Sequence, residues 1–318
     1  MKIILMGTGP FAVPSFEAIA GTDAEIVRVW TRPVVSNKSR QGSPQSPVRD
    51  WATDRGLPVD DPASANDPAA QTQLRSLAAD LMVVCDYGQI LSAETLGTTR
   101  LGGLNLHGSL LPRYRGAAPV QWAVLNGDPV TGVSVIHMTP KLDGGPIVAT
   151  AETAVGEHET SGDLEQRLAQ LGVGATLDAV DLLQSWDGQS VLGTPQDPAA
   201  ATRAPRLAKA DGAIDWGRSA AEIDCHVRGM QPWPVAFTHH QVRPDKPAIR
   251  LAVHQVRLTG DACDDAVPGE IRIGETAQVA TDDQWVELVQ VKPAGKREMS
   301  GIDFFRGHKP AEGARLFE

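Results

Sequence analysis

The chain is poor in cysteine, in tyrosine and in long apolar runs, and it carries no excess of positive charge. Its three cysteines, Cys85, Cys225 and Cys263, lie far apart and form no Cys-x-x-Cys pair. A disulfide framework and a structural zinc site both need paired or closely spaced cysteines. The sequence therefore predicts neither a disulfide-stapled fold nor a zinc module.

Long apolar stretches are missing as well. A helix that spans a bilayer needs about 20 consecutive apolar residues, and no run approaches that length. The apolar start of the chain, IILM, is shorter than the apolar core of a signal peptide and suits a strand better. We expect a protein of the bacterial cytoplasm.

Positive charge is in deficit, with 29 Lys and Arg against 39 Asp and Glu and a net charge of −10. Broad, nonspecific binding to nucleic acid depends on neutralising phosphates with Lys and Arg, so this balance argues against it. A local basic patch is still compatible with the charge. At 318 residues the chain exceeds the usual size of one hydrophobic core, and two domains are expected.

Short β-like runs alternate with helical patterns in the first half of the chain. The predicted strands cover 2–7, 25–31, 80–88, 103–107 and 132–139. Helical patterns cover 14–21 and 119–127, and the second has Pro119 early and Gly127 at its end. Strands that alternate with helices are typical of an α/β domain with a doubly wound, mainly parallel sheet.

The composition changes after residue 188. Before it, a helix starts near Ser161, where Thr160 and Asp163 fit a capping box. Residues 193–206 hold three prolines and no apolar period, which is typical of an extended linker. The short β-like runs that follow predict a small β-barrel or sandwich. The predicted organisation is a domain over 1–188, a linker over 189–206 and a second domain over 207–318.

The stretch GTGPFA at 7–12 lies between the first strand and a helix and fits the Gly-x-Gly-x-x-Ala dinucleotide fingerprint. However, the second strand ends in VWTRP, with no acidic residue to bind a ribose, and Pro10 and Pro14 crowd the start of the helix. Glycine also serves wherever a strand must turn tightly into a helix. We expect a turn that lines some other ligand and no nicotinamide.

Asn105, His107 and Asp143 are the strongest candidates for chemistry. Strand side chains alternate, so Asn105 and His107 project from one face of the predicted strand 103–107. Ligands of open α/β sheets bind beyond the carboxyl ends of the strands, and Asp143 follows the strand that ends near residue 139. An amide and an imidazole can donate to an oxyanion, and a carboxylate can orient the imidazole or accept a proton. The spacing alone also fits turn hydrogen bonds and an ordinary strand-end histidine.

The sequence around these residues resembles the folate-dependent formyltransferase family. NLHGSLLPRYRGAAPVQWA at 105–123 and LDGGPIV at 142–148 contain its Asn, its His in an H-x-S-L-L-P motif and its Asp in an L-D-x-G motif. GTGPFAVPSFEAI, YGQIL, APRLAKADGAIDW, VRGMQPWPVAF and GIDFFRGHKP are similar to the branch that acts on methionyl initiator tRNA. The LDGGP variant is more similar to the glycinamide ribonucleotide branch. The resemblance covers nearly the whole chain.

This resemblance implies a Rossmann-like formyltransferase domain followed by an OB-like, tRNA-binding domain. It implies 10-formyltetrahydrofolate as formyl donor and the α-amine of methionine on initiator tRNA as acceptor. Asn105 and His107 would stabilise the oxyanion that forms on the formyl group, and Asp143 would assist proton transfer. Neither a metal nor a nicotinamide is implied, no obligate protein partner is evident, and a monomer is expected.

Two sets of binding residues accompany this expectation. The folate ring is expected against the strand-end backbone and the loop after His107, at Tyr87, Gly88, Ile90, Ser109, Leu110, Leu111 and Pro112. Tyr114 is also expected near the ligand. Because the net charge is negative, the tRNA must meet a local basic patch. The candidates are Lys38, Arg40, Arg203, Arg206, Lys209, Lys292, Lys296 and Arg297.

Two other functions stay open at this point. A formyltransferase that acts on a small amine, of the sugar-nucleotide or glycinamide ribonucleotide type, would share the three candidate residues. The second half of the chain argues against it, because a small acceptor needs no additional domain. A dinucleotide-binding regulator or oxidoreductase would rest on the glycine loop alone.

Overall fold

The computed structural model describes residues 1–33, 46–242, 245–311 and 313–317. The chain divides into two compact units, each built from several segments. The first unit comprises 1–119, 130–154 and 165–205, and the second comprises 120–129, 155–164 and 206–318. Residues 189–205, predicted as a linker, thus lie in the first unit.

Up to residue 205 the chain forms a series of strands and helices. The strands are β1 Lys2–Gly7, β2 Glu25–Trp30, β3 Val59–Asp60, β4 Leu81–Cys85, β5 Gly103–His107, β6 Arg115–Gly116, β7 Val130–His137, β8 Ile147–Ala154 and β9 Arg203–Ala204. The helices are α1 Val13–Ala20, α2 Pro47–Asp54, α3 Pro68–Ser76, α4 Ala93–Leu96, α5 Pro119–Leu125 and α6 Ser161–Ser185. Along the described ranges, no helix is both long and apolar enough to cross a membrane.

The main sheet of the first unit has the strand order β3-β2-β1-β4-β5-β7-β8. The pairs from β3 to β5 are parallel, which confirms the predicted mainly parallel, doubly wound sheet. The last two strands run antiparallel to their neighbours. Strand β7 connects directly to β8 through residues 138–146, and such a short connection requires an antiparallel pair. The sequence pattern gave no sign of this change of direction.

Strand β1 lies at the centre of the sheet, between β2 and β4. It is buried from Ile3 to Met6 because helices cover both faces of a doubly wound sheet, and this explains its unbroken apolar run. On one face Ile4 and Met6 pack with Trp30, Leu74 and other buried side chains. This rigid centre fixes the carboxyl ends of β1, β4 and β5, from which the loops of the candidate site begin.

The segment 193–205 has little regular structure, yet it is firmly attached to the first unit. Ile147 and Thr194 exchange both backbone hydrogen bonds, each 2.8 Å long. Strand β9 then pairs in parallel with β6, in the loop that follows His107. The polar, proline-containing sequence satisfies its backbone by pairing with these loops, which an apolar periodicity could not reveal.

The second unit is dominated by a curled antiparallel sheet. Its elements after residue 206 are α7 Ala220–Gly229, β10 Phe237–His240, β11 Ile249–Ala262, β12 Ile271–Ile273, β13 Ala277–Ala280, β14 Gln284–Pro293, β15 Met299–Ser300, α8 Gly301–Gly307 and β16 Leu316–Phe317. The strand order is β12-β13-β14-β11-β10-β16, with β15 on β14. An antiparallel bridge between Glu270 and Arg315 joins the segments that precede the two end strands. This arrangement is consistent with the expected OB-like domain.

Candidate active site

His107 ends β5 and is almost completely buried, with 6% of its surface exposed. Its Nε2 lies 2.9 Å from the backbone carbonyl oxygen of Tyr114. Since a carbonyl oxygen can only accept, Nε2 must carry the hydrogen of this bond. The neutral ring then has its lone pair on Nδ1, and Nδ1 is the nitrogen left for chemistry. The Tyr114 carbonyl, rather than a carboxylate, therefore sets the tautomer.

Asp143 lies beside that second nitrogen. Its Oδ2 is 3.8 Å from His107 Nδ1, and its side chain is 12% exposed. The same oxygen accepts a hydrogen bond of 2.8 Å from the backbone N–H of Gly116. A separation of 3.8 Å is too long for a hydrogen bond, so the His107–Asp143 interaction is electrostatic. Asp143 also has a left-handed backbone, with φ 47°, which aspartate tolerates better than most residues.

Asn105 lies two residues before His107, on the same face of β5. It sits between β4 and β7, opposite Val84 and Ile136, and is half-buried. Within the described part of the chain its side-chain amide has no hydrogen-bond partner. Its NH₂ is therefore available to a ligand. The structure brings His107 and Asp143 together and sets Asn105 on the adjoining position of the same strand face.

The loop after His107 is held by a serine on the neighbouring strand β7. The Ser134 hydroxyl donates to the Ser109 carbonyl at 2.8 Å and accepts from the Leu111 N–H at 3.0 Å. The Ser109 hydroxyl donates to the Arg113 carbonyl at 2.7 Å. Ser109 and Leu111 are buried by this packing, whereas Leu110 and Pro112 are half-buried. Of these candidates for folate contact, Leu110 and Pro112 have the most surface to offer.

Gly116 requires a residue without a side chain. Its φ of 132° is a conformation that L side chains rarely adopt, and a Cβ there would overlap the carbonyl group of Ala204. This close approach is the pairing of β6 with β9. Gly116 thus ties the Asp143 carboxylate, through its N–H, to the segment that carries Ala204.

The three folate candidates after β4 differ in how they are exposed. Tyr87 belongs to the core with 2% exposure, and burial raises the pKa of its hydroxyl to about 12. Gly88 accepts a hydrogen bond of 3.2 Å from Arg32 through its carbonyl, and Ile90 is 55% exposed. A ligand here would meet the backbone at Tyr87 and Gly88 and the side chain at Ile90.

The glycine turn 7–12 faces acidic groups. A Cβ at Gly9 would overlap the carboxylate of Asp86, and the Thr8 N–H donates to the Asp86 carbonyl at 3.1 Å. Glu165 lies near enough for the charge of Asp86 to act on it. Burial, with the negative charge of Asp86, raises the pKa of Glu165. The Asp86 carboxylate at this turn disfavours the pyrophosphate of a dinucleotide, because like charges repel.

The basic candidates lie on exposed surface where the structure describes them. Lys38 and Arg40 fall outside the described residues. Arg203 is exposed on β9 of the first unit, and the others are exposed in the second unit: Arg206, Lys209, Lys292, Lys296 and Arg297. Lys292 lies 3.6 Å from Glu298, which compensates part of its charge.

Sequence reasoning missed two residues that support the site, Gln196 and Thr202, which lie in the segment predicted as a linker. From the sequence, Arg115 fits either a contact with tRNA phosphate or folate glutamates, or a solvated charge. The Thr202 hydroxyl accepts from the Tyr114 N–H at 2.8 Å, and the Gln196 side chain bonds to Arg115. The available signal was a polar residue between prolines, in TPQDP, which is too weak to interpret without its partners.

Two family models match this sequence, Formyl transferase over residues 1–180 and Formyl transferase, C-terminal domain, over residues 206–309. The chain belongs to the formyl transferase family. This formyl transferase is 55% identical over 99% of its length to the methionyl-tRNA formyltransferase of Rhodopirellula baltica, of which 96% is covered. It is 38% identical over 97% of its length to the methionyl-tRNA formyltransferase of Nitratidesulfovibrio vulgaris, of which 93% is covered.

Solved structures share the fold of this formyl transferase at low sequence identity. An N-formyltransferase from Helicobacter canadensis, solved with folinic acid and dTDP-3-aminofucose, is 14% identical with a TM-score of 0.64. The match covers 93% of this chain and 100% of that one. HypX from Aquifex aeolicus, solved with tetrahydrofolic acid, is 14% identical with a TM-score of 0.60. That match covers 100% of this chain and 50% of HypX.

Proposed function

We propose that this protein transfers the formyl group of 10-formyltetrahydrofolate to the α-amine of methionine on initiator tRNA. The observation that carries the proposal is the His107–Asp143 pair beside Asn105 at the end of β5, in a chain similar over its full length to methionyl-tRNA formyltransferases. Identity of 55% and 38% to methionyl-tRNA formyltransferases over nearly the whole chain, both family domains included, supports a tRNA acceptor. Asp86 at the glycine turn argues against the dinucleotide alternative.

The proposed reaction is a direct attack without a covalent enzyme intermediate. The neutral amine attacks the formyl carbon, a new C–N bond forms, and negative charge collects on the formyl oxygen. The bond between that carbon and N10 of the folate then breaks, and the proton lost by the amine is gained by N10. Asn105 can donate its NH₂ to the developing oxyanion, an interaction whose loss costs about 10²–10³ in rate in comparable sites.

His107 would handle the proton through Nδ1. Its Nε2 is engaged by the Tyr114 carbonyl, so Nδ1 can accept the proton of the attacking amine and then donate from the imidazolium form. The Asp143 carboxylate at 3.8 Å would compensate the positive charge that the ring then carries. Gly116 holds the carboxylate in that position through its N–H. The geometry thus favours Asp143 as an electrostatic partner of His107.

The residues after β4 and β5 fit an aromatic, partly apolar formyl donor. Ile90 is 55% exposed and offers apolar surface that a ligand could cover. Leu110 and Pro112 add half-buried apolar surface, and Tyr87 and Gly88 offer backbone groups. When bound, the folate supplies the formyl group, and the chain supplies orientation and proton transfer.

The acceptor tRNA would meet exposed basic residues of both units, and the protein would act as a monomer in the bacterial cytoplasm. Because such contacts replace counterions on phosphates, the affinity for initiator tRNA should fall steeply with salt. Raising the salt from 50 to 200 mM would weaken binding by about 10³-fold or more if at least six phosphates are contacted. A flat salt response would contradict a basic tRNA surface.

One assay tests the proposal directly. The protein is supplied with 10-formyltetrahydrofolate and either methionyl initiator tRNA or glycinamide ribonucleotide, and the formylated product is measured. We expect turnover with the tRNA and none with the ribonucleotide. Turnover only with the ribonucleotide would replace the tRNA by a small amine as acceptor.

A further inference from the structure

Gln196 differs from its neighbours in the segment 193–205. Pro195 and Asp197 are exposed, whereas Gln196 is half-buried against the loops of the candidate site. The paired backbones of Thr194 and Ile147 fix the segment two residues earlier. The backbone that carries Gln196 is therefore held in a fixed position beside the candidate site.

The side-chain amide of Gln196 uses all of its hydrogen-bonding capacity. Its Oε1 accepts from Nε and Nη2 of Arg115, at 3.0 and 2.6 Å. Its Nε2 donates to the carbonyl oxygens of Asp143 and Gly145, both at 2.7 Å. A guanidinium can only donate and a carbonyl can only accept, so the amide has a single orientation here.

The Asp143 carboxylate is fixed by a hydrogen bond from the Gly116 N–H, and the four bonds of Gln196 hold the chain on both sides of that contact. On one side, Gln196 bonds to the backbone of Asp143 itself and of Gly145. On the other side it bonds to Arg115, whose successor Gly116 donates to the Asp143 carboxylate. The left-handed backbone of Asp143 is intrinsically unfavourable and needs such external support.

We propose that Gln196 is a positioning residue that holds Asp143 against His107, a role that rests on the proposed formyl transfer. Gln196 bonds to neither His107 nor the reacting groups. It acts through the backbone of the Asp143 loop and through Arg115. Its removal should lower turnover because the carboxylate loses its fixed distance from His107 Nδ1.

The test uses two substitutions and a matched control in the full-length protein. Gln196→Met removes all four bonds at similar side-chain size, and Gln196→Glu keeps acceptors for Arg115 but sets oxygens against two carbonyls. Gln184→Met is the control, since Gln184 is exposed on α6 and its side chain bonds to no described residue. We expect both Gln196 variants to lose about 10- to 100-fold in kcat, with KM for the tRNA within about threefold. The control should match the wild type.

A double-mutant cycle separates positioning from a general structural role. In an Asp143→Asn background, Gln196→Met should have almost no further effect on kcat, because the carboxylate that Gln196 positions is already absent, although the backbone carbonyls that it binds remain. Losses that multiply instead would show that Gln196 does not act through Asp143 and would overturn the proposal.

Hydrogen exchange gives a readout that needs no turnover. The Gly116 N–H, bonded to Asp143, should exchange at least about tenfold faster in Gln196→Met than in the wild type or Gln184→Met. Unchanged exchange would refute positioning of Asp143 by Gln196. If the wild type formylates neither acceptor, the proposed function fails, and the Gly116 exchange still decides the positioning.

Discussion

Each unit of the molecule contains a buried histidine, and the groups around the two imidazole rings differ. His107 in the first unit has a carbonyl at one ring nitrogen and a carboxylate near the other. His240 in the second unit is fully buried, edge-on to Phe304 and Phe305, and neither ring nitrogen has a hydrogen-bond partner in the described structure. Burial alone is thus common to the imidazole that we propose as reactive and to one that packs against phenyl rings. The partners around the ring distinguish them.

The contrast has an electrostatic consequence as well. Burial lowers the pKa of His240, and the nearby His308 backbone opposes part of this effect. Burial among phenyl rings disfavours the charged form of this imidazole. The His107 ring, by contrast, has a carboxylate at hand to compensate a positive charge.

The largest expected effect compares these two residues directly. His107→Ala should lower kcat by about 10²–10⁴, because proton transfer through Nδ1 is lost. His240→Leu should leave kcat within about twofold, since it replaces one buried ring by an apolar side chain of similar size. Steady-state formyl transfer by both purified variants provides the measurement. Equal losses of kcat in the two variants would contradict the proposed difference between His107 and His240.

A second substitution asks whether the strand face, and not the histidine alone, is reactive. Asn105→Ala should lower kcat by about 10²–10³ through loss of the oxyanion donor. The matched control is Gln170→Ala on the exposed surface of α6, for which no change is expected. Single-turnover rates with saturating folate isolate the chemical step. A normal rate in Asn105→Ala would remove this residue from the mechanism.

Gly116→Ala tests the support of the site rather than the site itself. The added Cβ meets the Ala204 carbonyl in an unfavourable backbone conformation, so we expect a loss of about 2–4 kcal/mol in the free energy of unfolding. Gly56→Ala is the control, because Gly56 has φ 68° but no neighbour within 4 Å of a Cβ. It should cost about 1 kcal/mol, from backbone strain alone. Urea unfolding measures the loss of stability in both variants. Equal losses would show that the β6–β9 pair relaxes to accommodate the added Cβ and would contradict the prediction.

The smallest effect concerns pH and the second histidine. Because the pKa of His240 is lower in the folded state than in the unfolded state, the unfolded state binds protons more readily. The stabilisation that neutral His240 contributes is complete above the pKa of the unfolded state, about 6.5, and is lost as the pH falls below that value. The drop in Tm from pH 7 to pH 5 should therefore be smaller in His240→Leu than in the wild type. Burial also lowers the pKa of His226, so part of the drop in Tm remains in the His240→Leu variant.

Local patterns were sufficient for much of the fold. Strands β1 and β5 begin and end where their apolar runs and alternation predict, and the capping box at the start of α6 forms between Thr160 and Asp163. The direction of β7 could not be predicted, because periodicity does not encode which way a neighbouring strand runs. The short strand β3 and helices α2 and α3 were also missed.

The candidate site also has one part that local sequence patterns predict and another that they do not. Asn105 and His107 follow from the period of one strand, and Asp143 from its motif. The contacts of Gln196 with Arg115 and Asp143 span 81 and 53 positions along the chain. No local pattern reports such contacts, and the prolines beside Gln196 suggested a linker instead. The proposed catalytic residues could therefore be named from the sequence, and the contacts that support them could not.

The 81-residue separation between Arg115 and Gln196 has a consequence for folding. A contact between distant positions forms only after the cost of closing the intervening loop has been met. The central pair of the sheet, β1 with β4, needs closure over a similar 78 positions, but it lies wholly before residue 86 and can form while the rest of the chain is still being synthesised. Asn105, His107 and Asp143 can acquire their fixed geometry only after the chain has been synthesised beyond Gln196 and Ala204.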